Sequence, residues 1–381
     1  MKKLWYIARG DIGRLDSAES IHSINDVKAF IKLGWNAKLF GSNFSNSENL
    51  DSFFMPVTKK KFFLERIFFE LFIILRLLFT TKANRPNLIF FRGPTNLLLI
   101  MYTLKLLGIP FSIEINGAQG YLYGHGSFLR KRIERYTDRF SMNNASAIFC
   151  VTPELVELVK SKFDYNANVI YSENGVNIED YPYLKNSEIK KNFKIAFIGK
   201  AYPGRGLELL IQSLANLKKN SIICNAKLIG GGPLYPELMR IAKEYDVLSQ
   251  IEFQDSVEPK FLKDELVDCN LSWAVFEEDR LQTITGLSPL KVWTSLSLGI
   301  PVLAFGPRGF RERLISVPGV FIADSYNEIA ISKILISIIK DYSKKYGQFG
   351  ADGRKYVESN ISWLAHCKIK DVHLKKIKLS D

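Results

Sequence analysis

Cysteine and histidine are both scarce in this sequence, with four of each in 381 residues. Cys150, Cys224, Cys269 and Cys367 stand far apart and form no CxxC pair, which argues against a disulfide framework or a zinc site and fits a reducing compartment. The histidines are not spaced as metal ligands, and no Asp-x-Asp pair suited to magnesium stands in the chain, so no metal or other cofactor is expected. Low-complexity segments are missing, and with 47% hydrophobic residues the chain reads as globular. Long apolar runs are missing as well. The most apolar stretch, "KFFLERIFFELFIILRLLFTT" at residues 61–81, is interrupted by Glu65, Arg66, Glu70 and Arg76 too often for a spanning helix. The N-terminus turns polar at Arg9-Gly10-Asp11, before a signal-peptide core could form, and reads as a first strand.

Negative charge is in deficit. The formal charge is +13, which points to an acidic partner: a nucleic acid, an anionic membrane surface or a phosphorylated substrate. Nucleic acid is not expected, because the basic residues are dispersed and no RNA- or DNA-binding motif accompanies them. On a helical wheel the four charges of the 61–81 stretch fall within an arc of about 140° and leave a wide apolar face. Preceded by Lys59, Lys60 and Lys61, this amphipathic helix suits either a domain core or the interface of an anionic membrane. In "SFLRKRIERYTDRF", Leu129, Ile133, Tyr136 and Phe140 mark one face, and Arg130, Lys131, Arg135 and Arg139 form a solvated basic one.

Apolar strand runs alternate with helical patterns twice along the chain. The first series runs from Leu4–Ala8 to Asn168–Tyr171 and the second begins at Lys194, with a join near Asn177–Asn192. Such alternation implies parallel βαβ units, and two series imply an α/β protein of two Rossmann-like domains facing a cleft. The expected division is 1–178, 179–362, and a basic C-terminal helix over 363–381 that packs back on the first domain.

The stretch "TGLSPLKVWTSLSLGIPVLAF", residues 285–305, reads as loop, helix and buried strand. Ser288 has a capping hydroxyl, Pro289 suits the first helical position, and Gly299 suits the far end. With Lys291 beside it, this helix start is an anion site, phosphate foremost. In "FIGKAYPGRGLELL", Gly199 leaves a strand, and Lys200 and Arg205 flank a loop before Gly206 opens a helix. Two cations at the C-terminal edge of a parallel sheet match a diphosphate.

Taken in order, these motifs resemble those of the family 4 glycosyltransferases, and the likeness covers nearly the whole chain. "ENGVNIEDY" is similar to the family's Asn-Gly-Val-Asp turn into the second domain, and "FIGKAYPGRG" to its Gly-Arg…Lys-Gly loop, with the two cations exchanged as Lys200 and Arg205. "AKLIGGGPLYPEL" resembles the Gly-x-Gly-Pro turn beside the nucleoside, and "SPLKVWTSLSLGIPVLA" the donor-binding stretch. The resemblance implies a GT-B fold and a retaining, metal-independent transfer from a nucleotide diphosphate sugar, a UDP-sugar being favoured. It assigns donor binding to Gly13, Gly199, Gly231, Gly286, Leu287, Ser288, Pro289, Leu290, Lys291 and Thr294, and charge stabilisation on the diphosphate to Lys200 and Arg205. Gly10, Asp11 and Glu114 fall on the acceptor side, while Asn116 and His125 are candidates for sugar or acceptor contacts. The chain departs from the family at Thr294 and Gly286, where acidic residues are usual, and at Asp255, where a glycine is usual. A noncatalytic nucleotide-sugar binder is therefore the alternative to an enzyme, and a GT-B epimerase a more distant one. The expected acceptor is a lipid-linked or surface glycan, and the expected location is cytoplasmic, peripheral on the inner face of the cytoplasmic membrane.

Overall fold

A computed structural model describes residues 1–11, 18–42, 52–55, 62–93, 97–117, 128–162, 168–184, 192–278 and 280–377. The chain divides into two compact units: Met1–Gly175 with Trp363–Asp381, and Val176–Ser362.

Unit one is built on seven parallel strands: β1 (Lys3–Asp11), β2 (Asn36–Ser42), β3 (Ser52–Met55), β4 (Leu88–Arg92), β5 (Phe111–Ile115), β6 (Ala147–Cys150) and β7 (Val169–Tyr171). Their order is β3-β2-β1-β4-β5-β6-β7, so the direction of winding reverses between β1 and β4. Both faces are covered, which explains why strands such as Leu88–Arg92 read as continuous apolar runs rather than alternating ones. Alternate side chains still divide cleanly. Trp5 and Ile7 join the core under the helices Phe62–Phe79, Leu98–Leu107, Phe128–Asn144 and Pro153–Lys162. Leu4, Tyr6 and Ala8 join the opposite core, under Ala18–Lys32 and the C-terminal helix Trp363–Leu374. The strand Ser52–Met55 has no counterpart in the sequence reading, because four residues carry too little periodicity to register.

The helix Phe62–Phe79 uses two opposed stripes. Phe69, Ile73 and Leu77 are buried against the sheet, whereas Phe68, Leu71, Leu75, Leu78 and Phe79 are exposed. Glu70 does not join a solvated charged arc. It is buried, and its Oε2 accepts from the N–H groups of Leu99 (2.7 Å) and Ile100 (3.3 Å). It thereby caps the helix Leu98–Leu107, whose own N-cap, Leu97, has no acceptor side chain. In Phe128–Asn144, Arg132, Arg135 and Arg139 are exposed as a solvated basic face requires, but Tyr136 is exposed too.

Beneath the C-terminal helix lies a fully buried charge cluster. Lys370 Nζ donates to Asp26 Oδ2 (2.6 Å) and to Glu114 Oε2. His22 Nε2 lies 2.8 Å from Glu114 Oε1, His366 Nε2 lies 3.4 Å from Asp26 Oδ1, and the Tyr6 hydroxyl donates to Asp26 Oδ2 (3.0 Å). Burial alone would push the Asp26 and Glu114 carboxyls up, but Lys370 and His22 outweigh it and hold both below the usual carboxylate range. Burial would lower Lys370, and the two carboxylates raise it above the ordinary lysine value instead. Sequence spacing gives no sign of how the fold gathers two of the four histidines here. The ligating atoms of His22, Asp26, Glu114 and His366 lie within 4.8 Å of one another, although the two histidines are remote in sequence. The cation they surround is the protein's own ammonium.

Unit two has six parallel strands: β8 (Phe193–Ile198), β9 (Cys224–Ile229), β10 (Ile251–Gln254), β11 (Leu271–Val275), β12 (Val302–Phe305) and β13 (Val320–Ile322), in the order β10-β9-β8-β11-β12-β13. The helices Leu207–Lys219 and Tyr235–Glu244 and the first turns of Glu328–Asn360 share one core, while Leu290–Ser297, Arg308–Leu314 and the end of Glu328–Asn360 share another. The 33-residue helix Glu328–Asn360 starts on an Asn327 cap, whose Oδ1 accepts from Ala330 N at 2.9 Å. It passes the end of Leu290–Ser297 so closely that a Cβ at Gly350 would stand 2.4 Å from Gly299 O.

Removing Lys370 strands two buried carboxylates. Lys370→Ala should lower stability by roughly 3–5 kcal/mol in denaturant unfolding followed by tryptophan fluorescence. Because the carboxylates titrate below their unfolded values, the stability they confer is present above the ordinary carboxylate pKa and lost as pH falls through the depressed one.

Candidate functional site

The C-terminal edge of the unit-two sheet gathers most of the sequence-selected residues. Gly199 follows β8 with φ +125° and donates to Ile229 O (2.7 Å), which fixes where the loop leaves the sheet. A side chain there would meet Lys291 directly, since a Cβ would stand 2.8 Å from Lys291 Nζ. The loop is pinned further along by Ala201 N to Gly231 O (2.8 Å) and by Glu277 N to Gly204 O (3.1 Å). Three strand ends, β8, β9 and β11, are thus stitched together around Gly199, Gly231 and Glu277.

Lys291 and Arg205 converge on two phenylalanines. Lys291 Nζ lies 3.9 Å from the ring centre of Phe197 and 5.9 Å from that of Phe276, and the Arg205 guanidinium lies 5.4 Å from Phe276. The Nζ is buried and has no hydrogen-bond partner, although the rest of the side chain keeps some exposed surface. Burial first, and the charge of Arg205 second, pull the lysine down to about 7. Its neighbours on Phe197, Gly199 and Phe276 supply rings and backbone, and among the described residues no carboxylate is within salt-bridge reach. Lys200, on the same loop, is exposed. An anion entering here would give the buried ammonium the partner it lacks.

The helix start differs from expectation. The helix is Leu290–Ser297, its N-cap position falls on Pro289, and no side-chain cap is made, so Ser288 is one residue outside the capping position. Pro289 is buried, Gly286, Leu287 and Ser288 are half-buried, and Leu290 is exposed; Leu287 O is taken by Arg313 Nη2 at 2.6 Å. Thr294 is half-buried and neighbours Tyr181, whose phenol is raised by burial and partly lowered again by the Thr294 side chain. Gly231 is fixed by Tyr235, whose hydroxyl accepts from Gly231 N (3.2 Å) and donates toward Leu228 O and Gln254 O.

Among the residues selected in unit one, Glu114 is not at a surface where an acceptor could meet it; it is wholly inside the Lys370 cluster. Asn116 is half-buried and donates Nδ2 to Glu114 Oε1 (2.8 Å), so it is a partner of that cluster. Gly10 and Asp11 lie at the C-terminal end of β1, with their side chains outside the described residues, as are Gly13 and His125 altogether. Sequence reasoning missed Phe197, Phe276, Tyr181 and Arg313. The two phenylalanines had a signal, since each sits at the C-terminal end of an apolar strand run. Tyr181 and Arg313 had none.

Two family profiles match successive parts of the chain: "Glycosyltransferase Family 4" over residues 22–180 and "Glycosyl transferases group 1" over residues 183–356. The chain belongs to the family 4 glycosyltransferases, hexosyltransferase-type enzymes with two Rossmann-like domains in the GT-B fold. Similar solved structures include sucrose-phosphate synthase from Thermosynechococcus elongatus, at 14% identity and a TM-score of 0.72 over 98% of this chain and 99% of that one. They also include Anabaena HepE in complex with UDP, at 13% identity and a TM-score of 0.70 over 99% and 100%. The lipopolysaccharide outer core galactosyltransferase WaaB in its apo form follows at 12% identity and a TM-score of 0.67 over 98% and 99%. No curated protein sequence matches the chain.

A lysine held near 7 responds to pH in two opposite ways. Without ligand, the folded chain binds fewer protons than the unfolded one between about pH 7 and the ordinary lysine pKa, so this residue's destabilising effect fades as pH rises. With an anion present, binding should weaken as pH rises above about 7, because the ammonium is lost. Calorimetric titration with pyrophosphate between pH 6 and pH 9 should show that decline, and Lys291→Met should flatten it.

Proposed function

We propose that the chain transfers a sugar from a nucleoside diphosphate sugar, UDP being the favoured carrier, to a hydroxyl of a lipid-linked or surface glycan, with retention of configuration and without a metal ion. The observation that carries this reading is the buried, unpartnered ammonium of Lys291 beside Arg205 at the strand ends, with Lys200 on the same loop. In the transfer, the bond from the anomeric carbon to the diphosphate oxygen breaks and its electron pair leaves with the diphosphate. The acceptor oxygen forms the new bond and loses its proton. Negative charge grows on the departing diphosphate, and Lys200, Arg205 and Lys291 supply positive charge there without a divalent ion. The HepE structure contains UDP, which supports that carrier.

The glycan acceptor and the membrane belong to the same reading. Phe68, Leu71, Leu75, Leu78 and Phe79 share one outward stripe of Phe62–Phe79, and Leu99, Tyr102 and Leu106 are exposed on the next helix. Phe79 is 84% exposed and Leu106 is 87% exposed, beyond what scattered surface hydrophobics explain. Arg76, Lys105, Arg135 and Arg139 are exposed on the same helical layer and suit an anionic bilayer surface. No helix among the described residues is long and apolar enough to cross a membrane. A second reading, a nucleotide-sugar binder without turnover, is favoured by Thr294 and Gly286 standing where the family usually has acidic residues.

UDP should raise the melting temperature more than GDP, ADP or CMP, UDP should be released from a UDP-sugar in the presence of EDTA and acceptor, and Arg205→Ala should slow that release roughly 100-fold. UDP binding without release under any acceptor would favour the second reading, and no nucleotide response would sink both. Separately, Leu75→Glu with Phe79→Glu should abolish co-sedimentation with anionic vesicles while leaving UDP binding unchanged.

A further inference from the structure

Asn116 stands where the unit-one sheet is best placed to hold a ligand. The winding reverses between β1 and β4, and open α/β sheets take their ligands outside the carboxyl ends of the strands at such a reversal. The register brings Ala8 of β1, Arg92 of β4 and Glu114 of β5 level at that edge, and Asn116 is the first residue beyond β5. Gly93, the first beyond β4, has φ +89° and donates its N–H to Glu114 O (3.0 Å), which ties the two strand ends together. Space is open here, since a Cβ added at Gly93 or at Gly117 would meet nothing within 4 Å.

One side-chain atom at this edge has no partner. The Asn116 carboxamide donates Nδ2 to Glu114 Oε1 at 2.8 Å, while its Oδ1 is buried and accepts from nothing. Chemistry forces that orientation, because the ionised Glu114 carboxylate is an acceptor only and the amide can meet it only through nitrogen. Glu114 in turn is held from two sides. Its Oε2 takes the Lys370 ammonium, and His22 Nε2 lies 2.8 Å from Oε1. A residue of the last helix therefore fixes, two contacts away, how an amide at the strand edge faces. A desolvated carbonyl oxygen without a donor is costly, and a sugar hydroxyl supplies the donor without bringing charge into the cluster.

We propose that Glu114, anchored by Lys370 of the last helix, orients the Asn116 carboxamide to receive a hydroxyl of the sugar acceptor at the carboxyl edge of the unit-one sheet. The ligand's role as acceptor rests on the transferase reading; the site rests on unit one alone. Asn116 touches the acceptor, and Glu114 and Lys370 are positioning residues. An amide oxygen takes no proton near neutral pH, so Asn116 aims the hydroxyl and leaves its deprotonation to another group.

The full chain, without nucleotide, is titrated with the methyl glycosides of glucose, galactose, mannose and N-acetylglucosamine, and the side-chain amide signals are followed by NMR. At least one glycoside should shift the Asn116 amide signal, identified by its loss in Asn116→Ala, and that variant should bind the same glycoside about 5-fold more weakly. Glu114→Gln, which leaves Asp26 to balance Lys370, should cost a similar factor alone and little more in the Asn116→Ala background. A residue that merely supports the fold would add its full cost in both. Should Glu114→Gln lose its cooperative melting transition, Glu114→Asp keeps the charge, withdraws the carboxylate from Asn116 and takes its place in the cycle. No shift of the Asn116 signal by any glycoside, or equal binding by wild type and Asn116→Ala, overturns the proposal, and full additivity overturns the positioning role. Failure of the transferase reading shows differently, as this pattern of glycoside binding without UDP release from a UDP-sugar.

Discussion

The first unit depends on one ammonium ion. Lys370 is wholly buried, and two carboxylates from different elements close on it: Asp26 from the first helix and Glu114 from β5. Three segments distant in sequence thus meet at a point where a missing charge would leave the others uncompensated in low dielectric. Further bonds fan out from there. His22 and His366 reach the carboxylates, Asn116 hangs from Glu114, and Trp35 Nε1 donates to Asp371 Oδ1 at 2.7 Å one residue beyond the lysine. Apolar burial supplies most of the driving force for folding, but it does not select a register; a charge cluster that is satisfied in one arrangement does.

Two buried lysines in this chain have opposite fates for one reason. Around Lys370 the carboxylates more than offset desolvation, and the ammonium is held firmly charged. Around Lys291 the neighbours are Phe197, Phe276 and the like charge of Arg205, and the ammonium is weakened. The first arrangement is complete in the protein alone. The second leaves its Nζ without a hydrogen-bond partner, and that contrast is what makes Lys291, and not Lys370, the candidate for meeting a ligand.

The sequence made the architecture readable because parallel strands covered on both faces leave unbroken apolar runs, and the glycines after β8 and β9 mark their ends. Lys200, Arg205 and Lys291 were legible because each stands directly after a strand or at a helix start, where the backbone itself dictates position. Short elements were not legible: Ser52–Met55 is too brief to show a period. Neither were roles set by long-range contact. Glu114 reads as a site residue beside Asn116, yet its partner Lys370 is in the last helix, and only the fold brings them together. Ser288 reads as a cap, but the helix begins one position later than the local pattern suggests. Glu70 reads as one member of a charged arc, while its role is to end another helix.

The chain leaves unit one at Gly175 and re-enters it at Trp363, and the two crossings run side by side, with Val176 N donating to Ile361 O at 2.9 Å. Unit two is therefore an insertion in the chain of unit one. During synthesis from the N-terminus, Asp26 and Glu114 are made long before Lys370, and the whole of unit two must emerge before the lysine does. The first unit is consequently the last to be finished, and a protease that trims the chain ahead of Lys370 leaves Asp26 and Glu114 without their counter-ion although every residue of unit two is still present.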